Sequence, residues 1–281
     1  MERLARLKSR VASLNDLRDL MSAMRALAAT QVQAAQNTLN GIREYTGVIE
    51  DAIAAGVGLL PAEGWLNQPA PASGDMLILI CSEHGFVGGF NDQLLSAAAL
   101  LMAPDRQLAI IGQRGVDLAS EHQLEPLWQE PMATHIGGVL GVARRVAGRR
   151  PGVHRAELVY AGYRRGGRYE VETRRVLPLD PTLLQRRQDR APPLHHLPAE
   201  QLLVRLADEY LLAELTRALM ESFASENGAR LRVMEAADRN IDQRRTRLDG
   251  EIHSLRQASI TAELLELMTG AEASSSGLES G

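Results

Sequence analysis

The residues best suited to phosphate chemistry lie in the glycine-rich segment 82–91, SEHGFVGGFN, directly after the apolar run 76–81. A glycine-rich turn after a strand is where dinucleotide-binding proteins hold a pyrophosphate. The glycines here do not give the spacing G-x-G-x-x-G. The only lysine, Lys8, is not part of a P-loop signature. We therefore interpret the segment as a tight strand-to-helix turn, with nucleotide binding as the alternative.

Two histidine-containing segments resemble half of a metal site. Cys81 and His84 have the spacing C-x-x-H, and His195 and His196 are adjacent. Zinc needs three or four ligands, and neither segment has a second pair nearby. Cys81 ends an apolar run, which favours a buried structural thiol over a nucleophile. The sequence thus predicts no catalytic residue, no cofactor and no metal.

These segments belong to a predicted α/β domain at 76–196, with a mainly parallel, Rossmann-like sheet. Continuous apolar runs are typical of strands buried on both faces, and here they alternate with helical patterns. The predicted strands are 76–81, 107–112, 156–162 and 169–177, and the predicted helices are 91–103, 114–121 and 132–147.

Long helices are predicted on both sides of this domain, at 1–60 and 197–269. Both segments have apolar residues at three- and four-residue steps, and a helix of the first segment's length spans about 85 Å, more than a compact domain can bury. The predicted fold class is therefore α/β plus a long antiparallel coiled coil of the two terminal helices. Residues 61–75 are predicted to be a linker, and 270–281 a disordered tail.

Composition excludes several functional classes. The 281 residues carry 31 basic and 35 acidic side chains, a balance that argues against nucleic-acid binding through phosphate neutralisation. No apolar run is long enough for a transmembrane helix, and the charged start MERLARLKSR predicts no secretory signal. The single cysteine excludes an internal disulfide.

Three helical stretches mix small residues with Met, Gln, Thr and Arg, where a plain coiled coil would carry Leu and charge. They are 22–30, 221–240 and 255–264. Polar side chains scattered around a helix suggest a surface that meets a partner without locking to it. The alternative is an ordinary solvated helix face.

In sequence and order, these stretches closely resemble the gamma subunit of F-type rotary ATP synthases. The family's A-M-x-M-V-A-A run is similar to 23–29, and its S-D-R-G-L-C-G-G-F-N turn to 82–91. Its E-S-x-A-S-E-x-x-A-R run is similar to 221–230, and its R-Q-A-x-I-T-x-E run to 256–263. The resemblance covers nearly the whole chain.

The resemblance implies a non-catalytic rotor shaft that couples ion flow through a membrane ring to conformational changes in a hexamer of alpha and beta subunits. It also implies an epsilon-type partner and a peripheral location on the cytoplasmic face of the bacterial cell membrane, without direct membrane insertion. The residues that it places against the hexamer are Met24, Arg25, Arg230, Gln257, Thr261 and Glu263.

Two segments depart from the family pattern. They are 31–36, where a basic stretch usually stands, and 194–198, where the family has a Y-x-F-E-P-like segment. Both belong to the part of the family's shaft nearest the ring. From the residues alone, two alternatives remain open: a stand-alone nucleotide-binding α/β enzyme and a cytosolic coiled-coil tether.

Overall fold

The computed structural model describes residues 2–59, 74–149, 153–180 and 195–276. The helices are α1 (Glu2–Val57), α2 (Phe90–Leu101), α3 (Gln113–Ala119), α4 (Ile136–Gly148) and α5 (Ala199–Ser276). The strands are β1 (Asp75–Ile80), β2 (Arg106–Ile111), β3 (Trp128–Glu130), β4 (Arg155–Arg164) and β5 (Arg168–Leu177).

The chain divides into two compact units, and both long helices contribute to each. One unit is Met1–Arg25 with Met234–Gly281, and the other is Ala26–Val233. The second unit contains the whole sheet, and the described residues of the first belong to segments of α1 and α5.

The sheet has the strand order β3-β2-β1-β4-β5. All neighbouring strands are parallel except β4 and β5, which pair antiparallel. The predicted mainly parallel sheet is therefore confirmed as a mixed sheet with one antiparallel edge.

Helices on both faces explain why the strand sequences are continuously apolar. In β1, Met76, Ile78 and Ile80 belong to a core cluster with residues of α1, α4 and α5. Leu77 and Leu79 alternate with them and belong to a second cluster with residues of α2. Because side chains alternate between the faces of a strand, burial of both faces requires apolar residues at every position.

Two elements differ from the prediction. The three-residue strand β3 was missed, because it stands between Pro126 and Pro131 and is too short to show a period. Helix α5 runs to Ser276, so residues 270–276 are helical although they were predicted as the start of a disordered tail. Ala271, Glu272 and Ala273 favour the extension through their high helix propensity. The predicted linker lies mostly outside the described residues.

In the two-helix unit, ion pairs connect α1 and α5. Arg18 lies 3.5 Å from Asp238 and 3.7 Å from Asp242, and Arg25 lies 3.6 Å from Asp238, measured between guanidinium nitrogens and carboxylate oxygens. These side chains are part-exposed, so each pair adds about 1 kcal/mol or less to stability.

Candidate functional site on the C-terminal helix

The polar segment Glu221–Arg230 of α5 is buried along its whole length. These are the first ten residues of the stretch 221–240 that was interpreted as a partner surface, and here the chain's own sheet unit covers them. Some of its polar side chains bond the main chain of another element, as Ser222 and Ser225 do, and others bond within the helix, as Glu226 and Arg230 do. These contacts explain why small and polar residues stand where a coiled coil would carry leucine. We call this segment, with its contacts, the fastening site.

Two serines of the fastening site hydrogen-bond the main chain of β4. The Ala161 N–H donates to Ser222 Oγ over 3.1 Å, and Ser225 Oγ donates to the Ala161 carbonyl over 2.9 Å. The pairing of β1 with β4 ends at Leu79 and Val159, so β4 continues past its neighbour. At Ala161 the hydrogen bonds that a longer β1 would have made are therefore made by serines of the helix. Buried main-chain N–H and C=O groups need such partners.

Two glycines bring α5 into main-chain contact with the turn between β4 and β5. A Cβ added to Gly228 would lie 2.8 Å from the Cα of Gly167, and one added to Gly167 would lie 2.9 Å from the Gly228 carbonyl oxygen. Gly167 also has φ +70°, a conformation that favours glycine. A glycine in the helix interior costs about 1 kcal/mol relative to alanine, so the close contact is what justifies Gly228.

Arg230 forms a buried ion pair within the fastening site and also connects that site to the turn after β1. Arg230 Nη2 donates to Glu226 Oε1 over 2.6 Å, and the guanidinium also donates to the carbonyl of Gly85 over 3.3 Å. Burial raises the pKa of the Glu226 carboxyl, and the charge and hydrogen bond of Arg230 oppose that rise. Arg230 therefore holds the 82–91 turn against α5; a contact of Arg230 with a partner stays a prediction.

The 82–91 segment forms the predicted strand-to-helix turn, and its polar groups are satisfied within the chain. Asn91 Oδ1 accepts the Ser82 N–H over 3.0 Å, and Asn91 Nδ2 donates to Ser82 Oγ over 2.9 Å. Glu83 Oε2 accepts the main-chain N–H groups of Gln113 and Met132 over 3.1 and 2.7 Å. A carboxylate of the chain thus accepts hydrogen bonds from main-chain amides at the carboxyl end of the sheet, where nucleotide-binding folds bind a phosphate.

The other predicted contact residues lie in the two-helix unit. Met24 is half-buried, and Arg25 is exposed and pairs with Asp238. Gln257, Thr261 and Glu263 are exposed on α5. The Thr261 hydroxyl donates to the Gln257 carbonyl over 2.9 Å within the helix.

Large apolar side chains beside these polar residues are also exposed. They are Ile260, Leu264, Leu265, Leu267 and Met268, each between 56% and 71% exposed. Exposed apolar side chains grouped at one place are typical of a surface that another protein covers. We call residues 257–268 of α5 the exposed end.

The comparisons with known proteins agree with the resemblance. The family model described as ATP synthase matches residues 3–273. The chain belongs to the ATP synthase gamma chain family.

Members of this family align with the chain over almost its full length. The ATP synthase gamma chain of Flavobacterium johnsoniae is 24% identical and that of Anaeromyxobacter sp. is 26% identical, each covering 97% of this chain and 99% of the relative. A solved structure of the Tetrahymena thermophila mitochondrial ATP synthase, central stalk and c-ring, contains a chain with TM-score 0.57 and 18% identity. That match covers 78% of this chain and 99% of the other.

In the described part of this gamma chain family member, no helix has the length and hydropathy of a membrane span. The same residues contain no group of three or more His, Cys, Asp or Glu side chains placed to hold a metal ion. His84, His195 and His196 are exposed.

Cys81 is expected to react slowly with thiol reagents in the folded protein. Its side chain is buried against α2 and the sheet, and burial raises the pKa of the thiol well above its ordinary value. Since the thiolate is the reactive form, labelling should require unfolding. Cys81→Ala should leave coupled ATP synthesis nearly intact, as measured in the assembled complex. A large loss of turnover with the fold preserved would indicate a chemical role.

Proposed function

We propose that this chain is the central rotor shaft of a membrane-bound rotary ATP synthase. In this proposal it couples ion flow through a membrane ring to conformational changes at the catalytic sites of an alpha–beta hexamer. The observation that carries the proposal is that one continuous helix, α5, is fastened to the sheet at 221–230 and carries the exposed end at 257–268. The shaft itself carries out no covalent chemistry.

The exposed end supports the alpha and beta subunits as partners. Apolar side chains there need cover, while Gln257, Thr261 and Glu263 offer hydrogen-bonding groups among them. A surface of many weak contacts suits rotation, because a single strongly preferred position would stop the shaft. We place Met24 and Arg25 in contact with the same hexamer.

The remaining parts of the proposal concern the pairing of the two long helices, the further partners and the location. We propose that α1 and α5 pair as an antiparallel coiled coil, supported by the ion pairs of Arg18 and Arg25 with the carboxylates of α5. The epsilon-type subunit and the membrane ring are the further partners. The chain is peripheral, on the cytoplasmic face of a bacterial cell membrane.

The double variant Gln257→Leu with Thr261→Val tests the proposed contact surface. We expect ATP-driven ion pumping by the assembled complex to fall several-fold, because both side chains lose hydrogen bonds to the hexamer. Nucleotide affinity of the isolated catalytic subunits should not change, since those sites contain no residue of this chain.

The matched control is Gln243→Leu with Thr246→Val on the same helix. Gln243 and Thr246 are exposed, and Thr246 bonds the Asp242 carbonyl over 3.0 Å as Thr261 bonds Gln257. We expect this control to pump normally. Normal pumping and assembly in both double variants would place the contact surface elsewhere.

A further inference from the structure

Three charged side chains of α5 lie on one face of the helix, at the start of the fastening site and in the two turns before it. They are Glu214, Arg217 and Glu221, and we call them the ionic face. Glu214 is 1% exposed and Glu221 4%. With Tyr210 they lie within an arc of about 60° of the helix, at 100° per residue.

The partners of the ionic face come from different elements. Arg174 of β5 places its Nε 2.5 Å from Glu214 Oε2, and Arg217 Nη2 lies 3.1 Å from the same oxygen. Arg43 of α1 lies 3.6 Å from Glu221. The helix is therefore connected by charge to the edge strand and to α1.

Burial raises the pKa of both carboxyls, and the neighbouring arginines oppose the rise. For Glu214 the opposing charges are Arg217 and Arg174, while Glu50 adds to the rise. For Glu221 they are Arg217 and Arg43, while Glu172 adds to the rise. In both cases the arginines favour the charged form of the carboxyl, and burial opposes it.

The ionic face defines one position of the helix, which the apolar contacts beside it do not. Leu211, Leu215 and Leu219 pack into the sheet core, and apolar contact has no preferred direction. A shift of the helix by one residue corresponds to a slide of about 1.5 Å and a turn of about 100°. A turn of that size would carry Glu214 away from Arg174 and Glu221 away from Arg43, so that Arg217 of the same helix would be the one remaining cation named for either carboxyl. Loss of an ion-pair partner by a buried carboxylate is unfavourable.

Stability alone does not explain this arrangement. Buried ion pairs are often replaced by apolar residues of similar volume without loss of stability, because desolvation offsets their attraction. Such a replacement removes the directional contacts that favour one position of the helix over others. Buried charges at this place are therefore best explained by a requirement for one defined position of the helix.

We propose that the ionic face, held by Arg174 and Arg43, is a positioning element that keeps α5 from turning or sliding on the sheet when torque passes along the helix. This inference rests on the proposed rotor function. A helix that slips on its own domain would still turn in the hexamer but would pass on only part of the rotation.

The test is the double variant Arg174→Leu with Glu214→Leu in the assembled complex. We expect normal assembly, ATP hydrolysis within twofold of the unmodified complex, and at least a threefold fall in ions pumped per ATP. Under an opposing torque, a bead attached to the sheet domain should show backward slips. The matched control, Arg114→Leu with Asp117→Leu, removes an exposed ion pair of α3 and should change neither ratio nor slipping.

A second variant, Arg174→Gln with Glu214→Gln, removes both charges but keeps groups that can form neutral hydrogen bonds, and Glu214→Gln also keeps side-chain volume. We expect about a twofold fall in the number of ions pumped per ATP. This variant tests the proposal if the leucine variant fails to assemble. An unchanged ratio in an assembled variant overturns the positioning role. Failure of the unmodified complex to pump, or absence of this chain from it, would instead refute the rotor function.

Discussion

Replacing Arg230 by alanine is expected to lower the free energy of unfolding of the sheet unit by about 3–5 kcal/mol at neutral pH. The change leaves the buried Glu226 carboxylate without its cation and removes the donors to the Gly85 carbonyl. The measurement is urea unfolding of the purified chain, followed by hydrogen exchange of the β1 and β4 amides. Arg114→Ala, which breaks an exposed pair, should cost less than about 1 kcal/mol.

The loss of stability caused by Arg230→Ala should become smaller as pH falls. The pKa of Glu226 is already raised in the folded chain, chiefly by burial, and losing Arg230 raises it further. A raised folded pKa gives a contribution to stability that is present below the unfolded value, about 4.3, and is lost as pH rises through the folded value. The destabilisation by Arg230→Ala should therefore shrink as pH falls from 8 towards 5.

Glu226→Gln in the Arg230→Ala background separates charge from packing. Because the amide carries no charge, we expect the double variant to recover most of the lost stability at neutral pH and to show little pH dependence. A destabilisation by Arg230→Ala that stays constant from pH 8 to pH 5 would show that the unpaired Glu226 charge is not its cause.

Replacing Gly228 by alanine is expected to destabilise the sheet unit by about 1–3 kcal/mol, as overpacking does. The added methyl would lie 2.8 Å from the Cα of Gly167, so the main chain of the turn or of the helix must shift. Alanine's higher helix propensity, about 1 kcal/mol, offsets only part of the cost.

Gly250 provides the opposite outcome in the same helix. An added Cβ there meets nothing within 4 Å, so Gly250→Ala should stabilise the chain by about 0.5–1 kcal/mol. Equal stabilisation by both substitutions would mean that the contact between Gly228 and Gly167 is not required. Urea unfolding and thermal melting of the two variants measure the difference.

The sheet could be predicted from the sequence where burial on both faces left continuous apolar runs. β1 and β2 show this directly, since every residue from Leu77 to Ile80 and from Leu108 to Ile111 is buried. β3 could not be predicted, because three residues carry no period. The end of α5 was placed too early, because Gly270 and the serines after it outweighed the alanines between them.

The fastening site was harder to predict, because a polar residue on a helix looks the same whether it faces water or another main chain. Ser222 and Ser225 were assigned to a partner surface for that reason. One signal could have identified them: small residues at 222, 225 and 228 recur every three positions, which places them along one side of the helix and permits close approach. The exposed end does have a signal in the sequence, because the predicted helix 197–269 is longer than the predicted helix 1–60 and part of it must extend beyond that partner.

The dependence of β4 on two serines of α5 has a consequence for biosynthesis. Ser222 and Ser225 follow Ala161 by 61 and 64 residues, so they leave the ribosome well after all five strands. At about 5–20 residues per second, the interval lasts several seconds. During that time the nascent chain carries a sheet whose fourth strand lacks two hydrogen-bond partners. The α/β fold is therefore completed only after the C-terminal helix has been synthesised. The same hydrogen bonds that complete the sheet domain also attach the helix to it.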